Sequence, residues 1–183
     1  RGLNENYARE LLELHTLGVN GGYTQQDVQE LAKMLTGWTV GGLARPGRSA
    51  QGPRGRRQPG APNNRDAEFG FAFEEPLHEP GAKTLLGVKY PESGVAEGER
   101  AIRDLCRHSS TARFVATKLV THFVSDNPPA PAVDRIARVF QASDGDLRAV
   151  SAALIDLPEA WADSARKFRT PHDWLVAILR AFN

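Results

Sequence analysis

Apolar residues recur along most of this chain at the spacing of an α-helix. Within residues 24–38 they fall three or four positions apart with polar residues between them, which is the pattern of a helix with one buried face. A first helix is expected over residues 4–17, because Asn4 is a good N-terminal cap and Gly18 can end it. The chain therefore opens with two helices joined by a short glycine turn.

The pattern is helical again from residue 95 to the end of the chain. Serine, proline, glycine and aspartate clusters mark the boundaries, and Thr170-Pro171 is a typical helix start. The expected helices span residues 95–107, 110–125, 131–142, 146–156 and 171–182, with a short turn at 158–162. These elements predict a mainly α protein, a bundle of about seven helices forming a single helical domain over residues 1–183.

The middle of the chain departs from the helical period. Residues 68–73 alternate like a strand, with three phenylalanines on one face, and residues 83–90 could form a second strand. The polar residues between them are suited to a connection. A small β-hairpin over residues 68–90 is therefore expected, inserted into the helical bundle.

Residues 41–66 are predicted to form a mobile, flexible insertion. Residues 41–65 hold six arginines and no acidic residue, and they are otherwise dominated by glycine and proline. Such a stretch buries too little apolar surface to offset the entropy of ordering it. No aromatic residues are interleaved with the arginines, and the formal net charge of the whole chain is +1. Nucleic acid is therefore not an expected partner.

Few classes of chemistry are indicated by composition. The single cysteine, Cys106, excludes an internal disulfide and a thiolate-rich metal site, and it is expected to be buried as a small apolar residue. The five histidines lack metal-ligand spacing, so no metal site and no cofactor are predicted. Phosphate-binding, dinucleotide-binding and nucleophile-elbow motifs are missing from the sequence. No apolar run has the roughly 20 residues that a membrane span needs.

Two charged residues fall on faces that are otherwise apolar. Glu10 lies within the apolar arc of the first helix, and Arg113 lies between valines of the helix at 110–125. An unpaired buried charge is costly, so we expect Glu10 and Arg113 to meet in a salt bridge, with Tyr7 or His78 as a hydrogen-bonding neighbour and His15 in the same polar centre. The alternative is that each charge reaches solvent from the edge of its face.

The connection at residues 76–83 gathers groups that could carry out chemistry. His78 offers a base, Glu79 an acid and Lys83 a cation within one turn. These three residues are the candidates for a catalytic site. The alternative is an ordinary solvated loop.

Several motifs resemble those of the bacterial family catalogued as domain of unknown function 1800. The resemblance covers nearly the whole chain outside residues 41–65. The matching stretches are Asn4–Leu11, His15–Gly18, Gly22–Gln25, Leu35–Trp38, His78–Gly87, Ser110–Phe114, Ser143–Val150 and Lys167–Pro171. The resemblance implies that this chain is the C-terminal part of a longer, frequently exported protein. Glu79 departs from the family pattern, which more often has aspartate there.

Two functions are consistent with these features. The one we favour from the sequence is a binding or scaffolding module of an exported (periplasmic or extracellular) assembly, whose partners are the missing N-terminal segment and another protein. The alternative is a hydrolase-type enzyme, with a site built from the His78 loop and the Glu10 face of the first helix. No nucleophile–base or metal constellation is visible, which favours the first.

Overall fold

The computed structural model describes residues 3–41, 70–162 and 167–182, and this part of the chain is mainly α-helical. Most of the predicted insertion at 41–66, together with residues 67–69, lies outside the described residues. The helices are α1 (Glu5–Glu10, continued as a π-helix over Leu11–Thr16), α2 (Gln25–Met34), α3 (Val95–Arg107), α4 (Ser109–Phe123), α5 (Ala130–Ala142), α6 (Leu147–Ile155) and α7 (Pro171–Ala181). Short 3-10 turns span Glu75–Leu77 and Pro158–Trp161.

The chain divides into two compact units. The first comprises Arg1–Ala8 and Gln25–Ala101, and the second comprises Arg9–Thr24 and Ile102–Asn183. In the first unit α2 packs against a strand pair through its buried face. In the second unit α5 packs against both α4 and α6. The single-domain organisation stays a prediction.

The strands pair differently from the predicted hairpin. Strand β1 (Trp38–Gly41) pairs antiparallel with β2 (Gly70–Phe73), and β3 (Lys83–Leu85) pairs antiparallel with β4 (Val88–Tyr90). The expected pairing of the strand at 68–73 with the one at 83–90 is therefore wrong. Residues 83–90 form a tight hairpin of their own, because Leu86 and Gly87 both adopt positive φ, as a two-residue turn requires.

Helix boundaries follow the capping signals closely. The Asn4 side chain accepts a hydrogen bond from the Tyr7 amide at 3.2 Å, and Gly18 has a φ of +83° just after the first helix. Thr170 accepts from the Asp173 amide at the start of α7. The second helix is shorter than predicted, since it ends at Met34 and Trp38 begins β1.

The core of the second unit is formed mainly by α4, α5 and α6. Its buried members include Ala116, Val120, Ile136, Val150 and Leu157. Cys106 is exposed, so its predicted burial is wrong: it neighbours the buried Leu105 on α3 but lies about 100° further around the helix. Among the described helices, none has the length and apolar character needed to cross a membrane.

Candidate functional site

A network of buried polar side chains joins four separate segments of the first unit. Thr36 follows α2, His78 follows the 3-10 turn, Lys83 is the first residue of β3, and Glu97 lies in the first turn of α3. The side chains of His78, Lys83 and Glu97 are only 4%, 1% and 0% exposed. Charges this deeply buried must be paired. We call these four residues the polar network.

Lys83 and Glu97 form the ion pair at the centre of this network. The Lys83 ammonium donates to Glu97 Oε2 at 3.0 Å and to the backbone carbonyl of Glu79 at 2.6 Å. His78 Nε2 lies 3.4 Å from the same ammonium. The three N–H bonds of an ammonium thus have three acceptors within reach. Glu97 Oε1 is buried with no hydrogen-bond partner among the described residues.

The hydrogen bonds of His78 determine which ring nitrogen carries the proton. Its Nδ1 lies 3.0 Å from the Thr36 carbonyl oxygen, which can only accept, so Nδ1 must be the donor. The neutral ring then presents Nε2 as an acceptor towards Lys83. The same nitrogen lies 3.2 Å from Glu97 Oε2, so a second proton on the ring would be shared with that carboxylate. The ring is therefore held by hydrogen bonds at both nitrogens, and it packs against the Phe73 ring in a T-shaped arrangement with ring centroids 5.5 Å apart.

Thr36 ties the loop that contains His78 to the end of α2. Its hydroxyl donates to the Lys33 carbonyl at 2.5 Å and accepts from the Glu79 amide at 2.7 Å. The Glu79 backbone therefore uses both its amide and its carbonyl in the network. Glu79 is an exposed residue, and its carboxylate makes no contact within the network.

The structure brings together two of the three residues proposed as catalytic candidates. His78 and Lys83 are in contact, whereas Glu79 contributes only its backbone. Sequence reasoning missed Thr36 and Glu97. A signal for Glu97 was present, because it lies four and eight residues before Ala101 and Leu105, which are both buried on the same side of α3.

The predicted Glu10–Arg113 salt bridge is not formed. Arg113 instead pairs with Asp134 of α5 at 2.5 Å, with 61% of its side chain exposed, and Glu10, His15 and Tyr7 are all exposed. The prediction placed the buried face of the first helix on the wrong side. Its α-helical part buries Ala8 and its π-helical part buries Leu12 and Thr16, whereas Leu3 and Tyr7 of the predicted face are exposed. A buried salt bridge does exist, between Lys83 and Glu97.

The remaining candidate chemistry is sparse. Within the described residues, no group of three or more histidine, cysteine or acidic side chains could hold a metal ion. His108 caps the start of α4 by accepting a hydrogen bond from the Ser110 amide through Nδ1 at 3.1 Å. That nitrogen therefore carries no proton in this arrangement.

The fold and the network define a mainly α-helical protein with a buried lysine–glutamate ion pair close to a histidine. The chain belongs to the family described as Protein of unknown function (DUF1800), whose sequence model matches residues 1–183. No curated protein and no solved structure matches the chain. The family assignment agrees with the resemblance found in the sequence and supplies no reaction, so function must be argued from the residues themselves.

Proposed function

We propose that the protein is a binding module of an exported assembly, and that α7 is the element that contacts a partner protein. One observation carries this proposal. None of the eleven residues of α7 is buried, although the helix is strongly apolar. Trp174, Leu175 and Leu179 are each at least half exposed, and Phe182, just after the helix, is 87% exposed. Contiguous exposed apolar surface of this kind marks interaction sites.

The apolar side chains of α7 occupy one side of the helix. Trp174, Ile178 and Phe182 are spaced four residues apart, and Leu175 and Leu179 lie next to them at about 100°. This spacing is the one used when a helix inserts its apolar face into a groove on another protein. We call this side of α7 the apolar face.

The charges around α7 indicate the character of the partner. Arg169 and Arg180 are exposed and have no ion pair among the described residues, while Asp173 accepts a hydrogen bond from the Thr170 hydroxyl. The Asp173 carboxylate offsets the charge of Arg169 at the start of the helix, and Arg180 lies about 100° beyond Leu179, on the side away from the apolar face. The apolar face therefore carries no net charge along its edge, and an apolar groove is the complementary surface.

The approach to α7 is fixed to the rest of the second unit. Asp126, in the connection between α4 and α5, accepts hydrogen bonds from the Lys167 ammonium and from the Phe168 amide. These two hydrogen bonds anchor residues 167 and 168, just before α7, and they leave the apolar face exposed. Such preorganisation lowers the entropic cost of binding.

The polar network favours a structural role over hydrolysis. The side chains that could act on a substrate, His78, Lys83 and Glu97, are almost completely buried. The Lys83 ammonium also has three hydrogen-bond acceptors within the protein already. The unpartnered Glu97 Oε1 is the one observation that favours the alternative, a hydrolase. A hydrolase would lose turnover of its substrate in a His78→Asn variant that still folds. A binding module would keep its partner affinity in that variant.

The binding proposal is tested by crosslinking from the apolar face. A photoreactive phenylalanine analogue placed at Leu179 should crosslink to one defined partner in cells that produce the protein, and the same analogue at Arg180 should not. The partner, once purified, should bind the unmodified chain, and Leu179→Glu should weaken that binding about tenfold or more, because it places a charge in an apolar contact. Arg180→Gln should weaken it less.

Three results would contradict this proposal. One is equal crosslinking from positions 179 and 180, and another is a purified partner that binds the Leu179→Glu variant as well as the unmodified chain. The third is crosslinking only between two copies of this chain, which would make α7 a self-association surface.

The anchor at Asp126 predicts a pH dependence of its own. The Lys167 ammonium, followed by the Phe168 amide, lowers the pKa of the Asp126 carboxyl below its ordinary value. A carboxyl group with a lowered pKa stabilises the folded state above its unfolded pKa, and this contribution is lost as pH falls through the folded pKa. The Phe168 amide resonance in NMR spectra should therefore titrate below the usual aspartate range. In Asp126→Asn that titration should vanish, and the amide should exchange with solvent faster.

A further inference from the structure

A polar groove lies between α4 and α5 in the second unit, away from the apolar face of α7. Its volume is about 330 Å³. The polar residues lining it are Ser109, Ser110, Arg113, Asp134, Arg138 and Gln141. Every one of these side chains except Asp134 carries hydrogen-bond donors. The volume is at the lower end of the range for small-molecule sites.

The charges in this groove are unevenly paired. Asp134 and Arg138 are four residues apart on α5, a spacing at which an aspartate and an arginine often pair. Asp134 instead bonds to Arg113 on α4 through a single N–H, and Arg138 has no ion pair among the described residues. One guanidinium is thus left without a counter-charge, and the other retains unused N–H groups facing the same groove.

We propose that this groove binds a small ligand carrying a phosphate group. Guanidinium groups match phosphate oxygens in a bidentate manner, and two of them on opposite walls can hold one phosphate between them. The Ser109 hydroxyl and the Gln141 amide supply further donors for its oxygens, whereas the Ser110 hydroxyl already donates to the Gly21 carbonyl at 3.4 Å. The Asp134 carboxylate does not prevent phosphate from binding, because its negative charge is neutralised by Arg113. The inference is independent of the role proposed for α7.

Inorganic phosphate is the probe for this site. Titration calorimetry with the whole chain at constant ionic strength should give saturable binding, and NMR should show the Ser110 and Gln141 amides shifting with the same affinity. Arg138→Gln should weaken binding about tenfold or more, as expected for losing hydrogen bonds to a charged group. Arg135→Gln is the matched control, since Arg135 is exposed on the same helix and does not line the groove. Its affinity should stay within about twofold.

The outcomes separate a site from general charge attraction. Equal weakening by Arg138→Gln and Arg135→Gln, or saturation without shifts at Ser110 and Gln141, would overturn the proposal. Sulfate binding as tightly as phosphate would show a site for tetrahedral anions in general and would contradict the specific assignment. Arg113→Gln should also weaken binding. If that variant fails to fold, Arg138→Gln still decides the matter, because Arg138 holds no ion pair among the described residues.

Discussion

Replacing Lys83 with methionine should lower the free energy of unfolding by about 3–5 kcal/mol, the usual cost of removing one partner of a buried ion pair. Lys83 and Glu97 are both almost completely buried, and their charged atoms are 3.0 Å apart. Without the ammonium, the Glu97 carboxylate stays buried next to His78 with its charge uncompensated. The loss should appear as a lower midpoint in urea unfolding followed by circular dichroism.

A double-mutant cycle separates the ion pair from the packing of the two side chains. Lys83→Met and Glu97→Met should each be strongly destabilising, and the double variant should lose much less than the two losses together, because no unpaired charge remains. Arg107→Gln is the control, since it breaks the exposed pair with Asp144 and should leave the midpoint unchanged. Strict additivity of the two single losses would show that the residues do not stabilise each other.

Helical periodicity explains why most of the fold was predictable. Each helix from α3 onward lies within one or two residues of its predicted limits, since its caps and its apolar face are local signals. Strand pairing is not local. Trp38 continues the apolar period of α2, so nothing nearby in the sequence shows that it starts a strand whose partner Phe73 lies 35 residues further on.

The candidate site was predictable only in part, for a related reason. His78 and Lys83 lie in one short connection, so their proximity follows from the sequence. Thr36 is 42 residues from His78 in the sequence. A threonine near the end of a helix usually bonds to the nearby backbone, so its position gave no sign of a contact with a distant loop. The first helix shows the opposite error, because the apolar arc that contains Glu10 was assigned to the core, whereas Leu3, Tyr7 and Glu10 are all exposed and Ala8 is buried.

Gly37→Ala should lower the free energy of unfolding by about 2–4 kcal/mol, through backbone strain and a steric clash together. Gly37 has a φ of +82°, which L-residues rarely adopt. An added Cβ would also lie 2.9 Å from the Glu74 carbonyl oxygen and 2.9 Å from the Phe73 ring. That carbonyl belongs to backbone already bonded to Gly37, because the Glu74 amide donates to the Gly37 carbonyl at 2.8 Å. The Glu74 carbonyl therefore cannot move away from the added methyl group without straining this hydrogen bond.

Gly87→Ala separates the two causes. Gly87 has a similar φ of +78°, but no atom lies within 4 Å of an added Cβ, so only the backbone strain of roughly 1–2 kcal/mol applies there. The difference between the two losses in urea unfolding measures the clash. Because Gly37 adjoins Thr36, the clash should also loosen the polar network, and the Glu79 amide should exchange faster in Gly37→Ala than in Gly87→Ala. Equal losses and equal exchange would mean that the segment around Glu74 yields to the methyl group and that Gly37 is required only for its backbone angle.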